Sequence, residues 1–243
     1  MTQATGSADP TVATVRRHGL VTRLWHWLNA LCLLILFKSG LGIFNAHPRL
    51  YWGQYGANFD HAWLEKSRFG AWWTLPSTYD LALSRRWHFT VALIFAFGLL
   101  AFMLWSLASG HFRRDLKVTR ADVSLRHLGR EIADHARLRF PKGEAALRYN
   151  SLQKWSYVAV IFVLLPVMIF TGLAMSPGMD AAWPWLTDIF GGRQSARSVH
   201  FVAAWALVGF FVVHILMVLL AGPLNLLRSM ITGRMRISSE ERP

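Results

Sequence analysis

Two histidines on one apolar stretch have the strongest claim to chemistry in this chain. Ser198–Ala221 reads SVHFVAAWALVGFFVVHILMVLLA and holds His200 and His214, fourteen residues apart. On an α-helix, fourteen steps of roughly 100° return to within about 40° of the starting direction, and a rise of about 1.5 Å per residue puts the rings about 21 Å apart. The face between them carries Ala203, Ala204, Leu207 and Phe211. A polar ring inside a bilayer is costly and marks a functional site. Two of them on one stripe, at opposite depths, suit axial ligands for two stacked haems. The plainer alternative is a pair of histidines hydrogen-bonded within a helix bundle.

The elements that would position these rings are membrane helices. The chain has 243 residues, 53% hydrophobic and 14% aromatic, with mean hydropathy +0.30. Four stretches, Leu24–Phe44, Trp87–Ala108, Gln153–Ala174 and Ser198–Ala221, reach the roughly 20 apolar residues that cross a bilayer. The expectation is an all-α integral membrane four-helix bundle, antiparallel and up-and-down, forming one domain over residues 16–233. Residues 1–15 read as a disordered tail and 234–243 as a C-terminal tail. The first span is too long and intact for a cleaved signal segment.

The net charge of +13 invites a nucleic-acid reading, and its distribution argues against one. Ten Lys/Arg against five Asp/Glu lie between Ser109 and Asn150; three Arg precede the first span and four follow the last. Basic residues collect on the cytoplasmic side, which places both termini and the 109–150 loop inside, with loops 45–86 and 175–197 outside. The inner loop suits contact with anionic lipid. Its Val123, Leu125, Leu128, Ile132, Ala136 and Leu138 recur near helical spacing, predicting a surface amphipathic helix. His127 and His135 in that helix read as solvated, and His47 and His61 as surface residues. The single cysteine, Cys32, excludes a disulfide, a C-x-x-C-H attachment and an iron–sulfur ligand set, so any haem is held non-covalently.

Topology fixes the depths of four histidines. Span one runs inside to outside, so His26 is inner; span two runs back, so His88 is outer. Span four also runs back, making His200 outer and His214 inner. The depths pair without remainder, His88 with His200 and His26 with His214. Such haems have both axial positions filled by protein, and their natural work is electron transfer. Each ligand's second ring nitrogen should meet a carbonyl or hydroxyl.

Further residues sit around these depths. Gly40 follows His26 by fourteen residues, and its missing side chain suits close approach of a macrocycle or of a neighbouring helix. Lys38 lies near the outer depth, where it can pair with a propionate or snorkel outward. Arg85 and Arg86, just before His88, can meet acidic groups of a ligand or snorkel. Trp25 and Trp27 read as interfacial anchors, as do many aromatic residues of loop 45–86, a loop long enough to dock a partner. Pro166 should kink span three. Asn150 and Gln153, with Lys154, lie at that span's inner mouth; they suit hydrogen-bond donors to a quinone carbonyl, or simple capping of the helix.

The residues resemble the di-haem cytochrome b subunits of membrane-bound formate dehydrogenases, nickel–iron hydrogenases and thiosulfate-reductase-like molybdenum oxidoreductases. The resemblance covers all four spans. It rests on R-x-x-H-W at Arg23–Trp27, S-G at Ser39–Gly40, W-H at Trp87–His88, R-Y-N-x-x-Q-K at Arg148–Lys154, T-G-L at Thr171–Leu173, and the spaced His pair. It implies two non-covalent haem b groups ligated by His26, His88, His200 and His214, with Arg23, Lys38, Gly40, Arg85 and Arg86 lining them. It also implies a quinone site at Asn150 and Gln153, and a bacterial inner-membrane location. The outer loops do not match the formate dehydrogenase type. The partner then reads as a periplasmic molybdenum oxidoreductase, formate-dehydrogenase-like or sulfite-oxidase-like, or a hydrogenase, engaged directly or through an iron–sulfur subunit. The expected role is a subunit passing electrons between that enzyme and the quinone pool. Competing classes are a haem-free membrane anchor or proton-relay transporter, and a ferric-reductase-like enzyme.

Overall fold

The computed structural model describes residues 12–112, 119, 122–137 and 150–238. Four helices long and apolar enough to cross a membrane dominate it. These are α1 (Leu20–Phe44), α2 (Leu81–Ala108), the run Ser151–Ala174, and a later helix spanning Arg193–Leu220. The chain is an all-α, multi-pass membrane bundle. Each helix extends a few residues beyond its apolar stretch because hydrogen bonding carries the turn into polar flanks. The N-cap Asp80 shows this: its carboxylate accepts from Leu83 N–H at 2.9 Å and starts α2 six residues before Trp87.

The third span is not one uninterrupted α-helix. It comprises α4 (Ser151–Ala159), a π-helical stretch Val160–Leu164 and α5 (Leu165–Ala174). Pro166 has no N–H and cannot bond the carbonyl four residues back. The π stretch absorbs that defect, with Leu165 N–H reaching Val160 O.

Chain contacts divide the molecule into two compact units. The larger comprises Trp25–Ser109 and Tyr157–Val213. Its core joins all four spans: Cys32 from α1, Val91, Phe95 and Leu99 from α2, Val160 and Leu165 from the third, and Leu207 from the fourth. Trp25 packs here rather than at an interface, stacked on Phe102 at 5.5 Å, over space left by Gly98. Trp27 is 44% exposed. Leu31, Leu34, Leu93, Phe97, Leu100 and Leu104 point outward, as lipid-facing residues do.

In the same unit, residues 45–80 fold back onto their own body. They include the two-residue strands β2 (Arg49–Leu50) and β3 (Leu64–Glu65), paired antiparallel, and a 3-10 turn at Ala71–Trp73. Downstream lie the short helices α6 (Pro177–Ala182) and α7 (Trp185–Ile189), then α8 (Arg193–Leu220). The loop caps α8: Gly53 O accepts from Gln194 N–H at 3.0 Å and Ser195 N–H at 3.1 Å. Ser198 donates to Tyr51 O at 2.6 Å, and Trp63 Nε1 donates to Ser198 Oγ at 2.9 Å. Gly192, at φ +111°, lies against the Gly53 backbone where no Cβ would fit. Much of this loop is therefore bound to its own chain.

The smaller unit comprises Met1–Leu24, Gly110–Ser156 and His214–Pro243. It contains α3 (Leu125–Ala136), the expected amphipathic helix, and α9 (Pro223–Thr232). His127, read as solvated, lies 3.2 Å from Glu131; the side chain of His135 is outside the described residues. Residues assigned to tails pair here instead. The strands β1 (Val12–Arg16) and β4 (Arg234–Ser238) form an antiparallel ladder. Their alternation buries Met235 and Ile237 and exposes Arg234 and Arg236. Residues 1–11 and 239–243 lie outside the described part.

Candidate functional site

His88 on α2 and His200 on α8 meet in the larger unit, with ring centres 6.2 Å apart and planes at 61°. Each ring rests on a hydroxyl–glycine step of a neighbouring helix. On α1, fully buried Ser39 donates to Ile35 O at 2.7 Å and lies 3.1 Å from His88 Nδ1. That nitrogen is also 3.1 Å from Leu36 O. On α5, fully buried Thr171 donates to Val167 O at 2.5 Å and lies 2.8 Å from His200 Nδ1. A β-carbon at Gly40 would sit 3.4 Å from His88 Cε1, and one at Gly172 would sit 3.6 Å from His200 Cε1.

These bonds decide the tautomers. Each hydroxyl hydrogen goes to the carbonyl four residues back, a habit of Ser and Thr in helices. The hydroxyl oxygen can then only accept from the ring, so each Nδ1 carries the proton. The lone pair is left on each Nε2, the arrangement a metal-binding imidazole needs.

The geometry fits a haem iron. The ring centres are close enough that His88 and His200 would together hold a haem iron through their Nε2 lone pairs. Among the described residues no cluster of three or more His, Cys, Asp or Glu could hold a bare ion. Two imidazoles alone suit a metal whose other positions are filled by a macrocycle.

The remaining sequence-derived residues are placed as follows. Gly40 stands beside the edge of His88, where it makes room for an imidazole. Lys38 Nζ donates to Trp72 O at 3.2 Å, tying α1 to the 3-10 turn. Arg85 and Arg86 are exposed, Arg85 lying 5.5 Å from the Phe89 ring centre. Arg23 donates to Ile231 O at the end of α9. His26 lies edge-on to Trp27 at 5.1 Å. His200 and His214 share the unbroken helix α8, and His26 and Gly40 share α1.

Asn150 and Gln153 form a reciprocal cap at the start of α4. Asn150 Oδ1 accepts from Gln153 N–H at 2.8 Å, and Gln153 Oε1 accepts from Asn150 N–H at 3.3 Å. Lys154 pairs with buried Asp122 at 3.0 Å. Asp122 also accepts from Ser151 Oγ at 2.6 Å and from Thr119 N–H and Oγ at 2.7 Å. Burial pushes that carboxyl up; the Ser151, Thr119 and Lys154 bonds outweigh it and hold it well below the usual carboxylate range. Glu131 completes the cap, accepting from Ser151 N–H at 3.1 Å and Leu152 N–H at 3.0 Å. Sequence reasoning missed Asp122 and Glu131 because nothing local ties them to α4. It also missed Ser39, Thr171 and Gly172 as contributors to the site, although S-G and T-G stand in the motifs it used.

A membrane helical bundle with paired, Nδ1-anchored imidazoles between two of its spans is the architecture of a b-type cytochrome. The chain belongs to the prokaryotic cytochrome b561 family, whose model matches residues 17–233. It is similar to a protein of Cupriavidus necator named as a nickel–iron hydrogenase B-type cytochrome subunit, 27% identical over 79% of this chain and 74% of that one. It is also similar to a protein of Azospira oryzae named as a protein-methionine-sulfoxide reductase subunit, 28% identical over 82% of this chain and 87% of the relative. A hydrogenase B-type cytochrome subunit of Azotobacter vinelandii is 23% identical over 91% and 88%. The chain is thus a membrane cytochrome b, a haem-b electron-transfer subunit associated with an oxidoreductase.

Proposed function

We propose that the chain is a di-haem cytochrome that passes electrons between a redox enzyme outside the bacterial inner membrane and the quinone pool, with both termini cytoplasmic. The observation that carries the reading is the 6.2 Å approach of His88 and His200 with both Nδ1 atoms anchored. His88 and His200 would hold the haem, which when bound would supply a one-electron iron couple. His26 and His214 are assigned to the inner haem by their depths and by the fourteen-residue step each makes along its helix. Asn150 and Gln153 are assigned to a quinone carbonyl at that level. A neutral amide side chain is chemically suited to hydrogen-bond a quinone carbonyl. The placement of Lys and Arg supports the orientation. The relatives' names support a redox enzyme as partner, a hydrogenase or a methionine-sulfoxide reductase; a molybdenum oxidoreductase of the sulfite-oxidase-like or formate-dehydrogenase-like kind is proposed on the motif resemblance.

The purified protein tests this directly. Haem extraction should return two haem b per chain, and a quinol analogue should reduce both. One haem per chain would overturn the di-haem reading, and a colourless, folded protein would overturn the haem reading altogether.

A further inference from the structure

In the smaller unit, Arg16, His18, Arg23, Thr232, Gly233 and Arg234 line a cavity of about 240 Å³. No carboxylate is among these lining residues. The ladder pairs Arg16 directly with Arg234, and both are exposed on the same face. Arg236, two residues along, is exposed on that face too. Like charges directly opposite on a ladder are destabilising. Among the described residues, none of these three arginines makes an ion pair. Gly233, at φ +80°, turns the chain so tightly that a β-carbon there would meet His18 O and the Arg23 guanidinium, which holds Arg23 at the cavity wall. Arg23 Nε is buried and lacks a hydrogen-bond partner.

The helix beside this cavity has an apolar outer face. Leu224, Leu227 and Ile231 of α9 are exposed at 85%, 46% and 59%. Their spacing of three and four places them on one side. Such a helix, with cationic flanks, lies in a membrane interface. The arginines at its end would then stand at the level of lipid phosphates.

We propose that this corner binds a phosphate-bearing anion, the phosphodiester headgroup of an anionic phospholipid. Arg forks bind phosphate oxygens in pairs. The cavity holds roughly eight water volumes, room for a phosphate and part of its glycerol. A lipid phosphate also offsets the Arg16–Arg234 repulsion.

The test uses the full haem-loaded chain in detergent, examined by native mass spectrometry. Dioleoyl phosphatidylglycerol and dioleoyl phosphatidylcholine are added at equal concentration, with inorganic phosphate in a separate arm. Wild type should retain phosphatidylglycerol about tenfold better than phosphatidylcholine. The double variant Arg16→Gln, Arg234→Gln should retain both alike, with unchanged haem content and a melting temperature no lower than that of wild type, since the Arg16–Arg234 repulsion is gone. Arg126→Gln, Arg130→Gln in α3 should keep the preference, which separates a built site from general basicity. Equal retention of the two lipids by wild type would overturn the proposal. Preference lost equally in the α3 variant would overturn the location. Inorganic phosphate that displaces the lipid at low millimolar concentration would make a soluble phosphate the occupant. Selectivity that emerges only in Glu240→Gln, Glu241→Gln would show that the chain's own carboxylates fill the corner, and would also refute the lipid assignment.

Discussion

Thr171→Val removes one hydroxyl hydrogen-bond acceptor and almost nothing else. Valine keeps the branched shape, so no cavity opens in the fully buried position. The His200 Nδ1–H loses its 2.8 Å partner. A buried donor deprived of its acceptor costs about 1–3 kcal/mol. The electronic consequence is more specific. A ligand imidazole that donates its second N–H is more basic and favours the oxidised iron. Weakening the bond should therefore raise the midpoint potential of the outer haem. A differential of about 1 kcal/mol corresponds to about 40 mV for one electron, and a rise of a few tens of millivolts is expected. The assay is a redox titration of the b-type absorption band in purified protein, with haem content measured in parallel. Thr171→Ser should restore the wild-type potential, because it restores the hydroxyl. A midpoint unchanged in Thr171→Val with full haem content would refute the claim that Thr171 sets the ligand's hydrogen bond.

His200→Ala and His88→Ala should abolish the same haem signal, and His214→Ala should mimic His26→Ala; loss of one common signal in His200→Ala and His26→Ala would contradict the pairing. Lys38→Met should lower the outer midpoint if the ammonium acts on the haem, whereas its bond to Trp72 O predicts an unchanged midpoint and a loosened 71–73 turn, read by proteolysis of that loop. Asp122→Asn should destabilise the protein by about 2 kcal/mol at pH 7. Because the folded carboxyl is held down, this contribution is full above pH of about 4 and fades as pH falls below it, so wild type and variant should converge in melting temperature under acid. Asn150→Asp keeps the acceptor that caps Gln153 N–H and removes the amide donor. It should assemble both haems yet fail in quinone turnover, and normal turnover would leave Asn150 as a helix cap only.

What was legible in the sequence was whatever length and depth alone decide. Four apolar stretches became four spans because about 20 residues of lipid-compatible surface admit little else. The His88–His200 contact followed from counting depths, since both rings stand near the start of helices that run the same way. What was not legible depends on which distant group meets which. Trp25 and Trp27 look alike in sequence, yet Trp25 turns inward over Gly98 and Trp27 stays out. The five-residue strands β1 and β4 alternate too briefly to stand out, and each needs the other, about two hundred residues away, for its hydrogen bonds. That loop 45–80 caps the start of α8 was not legible, because the two lie far apart in the chain. Asp122 and Glu131 were hidden in a charge-rich loop where most acids are solvated.

Ser39 and Thr171 were hidden for a different reason. A hydroxyl in an apolar helix usually bonds its own carbonyl four residues back, and both of these do. Only the structure shows that the same oxygen then accepts from a histidine on another helix. The two seats repeat each other: a hydroxyl bonded four residues back that also meets the ring nitrogen, and a glycine next in sequence beside the ring edge. This divides labour between helices. α2 and α8 carry the paired histidines, while α1 and α5 fix their tautomer and leave room for their edges. His88 Nδ1–H has the Leu36 carbonyl as well as the Ser39 hydroxyl within reach, so loss of that hydroxyl weakens the anchor without freeing the ring. Ligand variants should therefore lose the haem, and seat variants should keep it at a changed potential. Haem content and midpoint potential, measured on the same samples, separate the two roles.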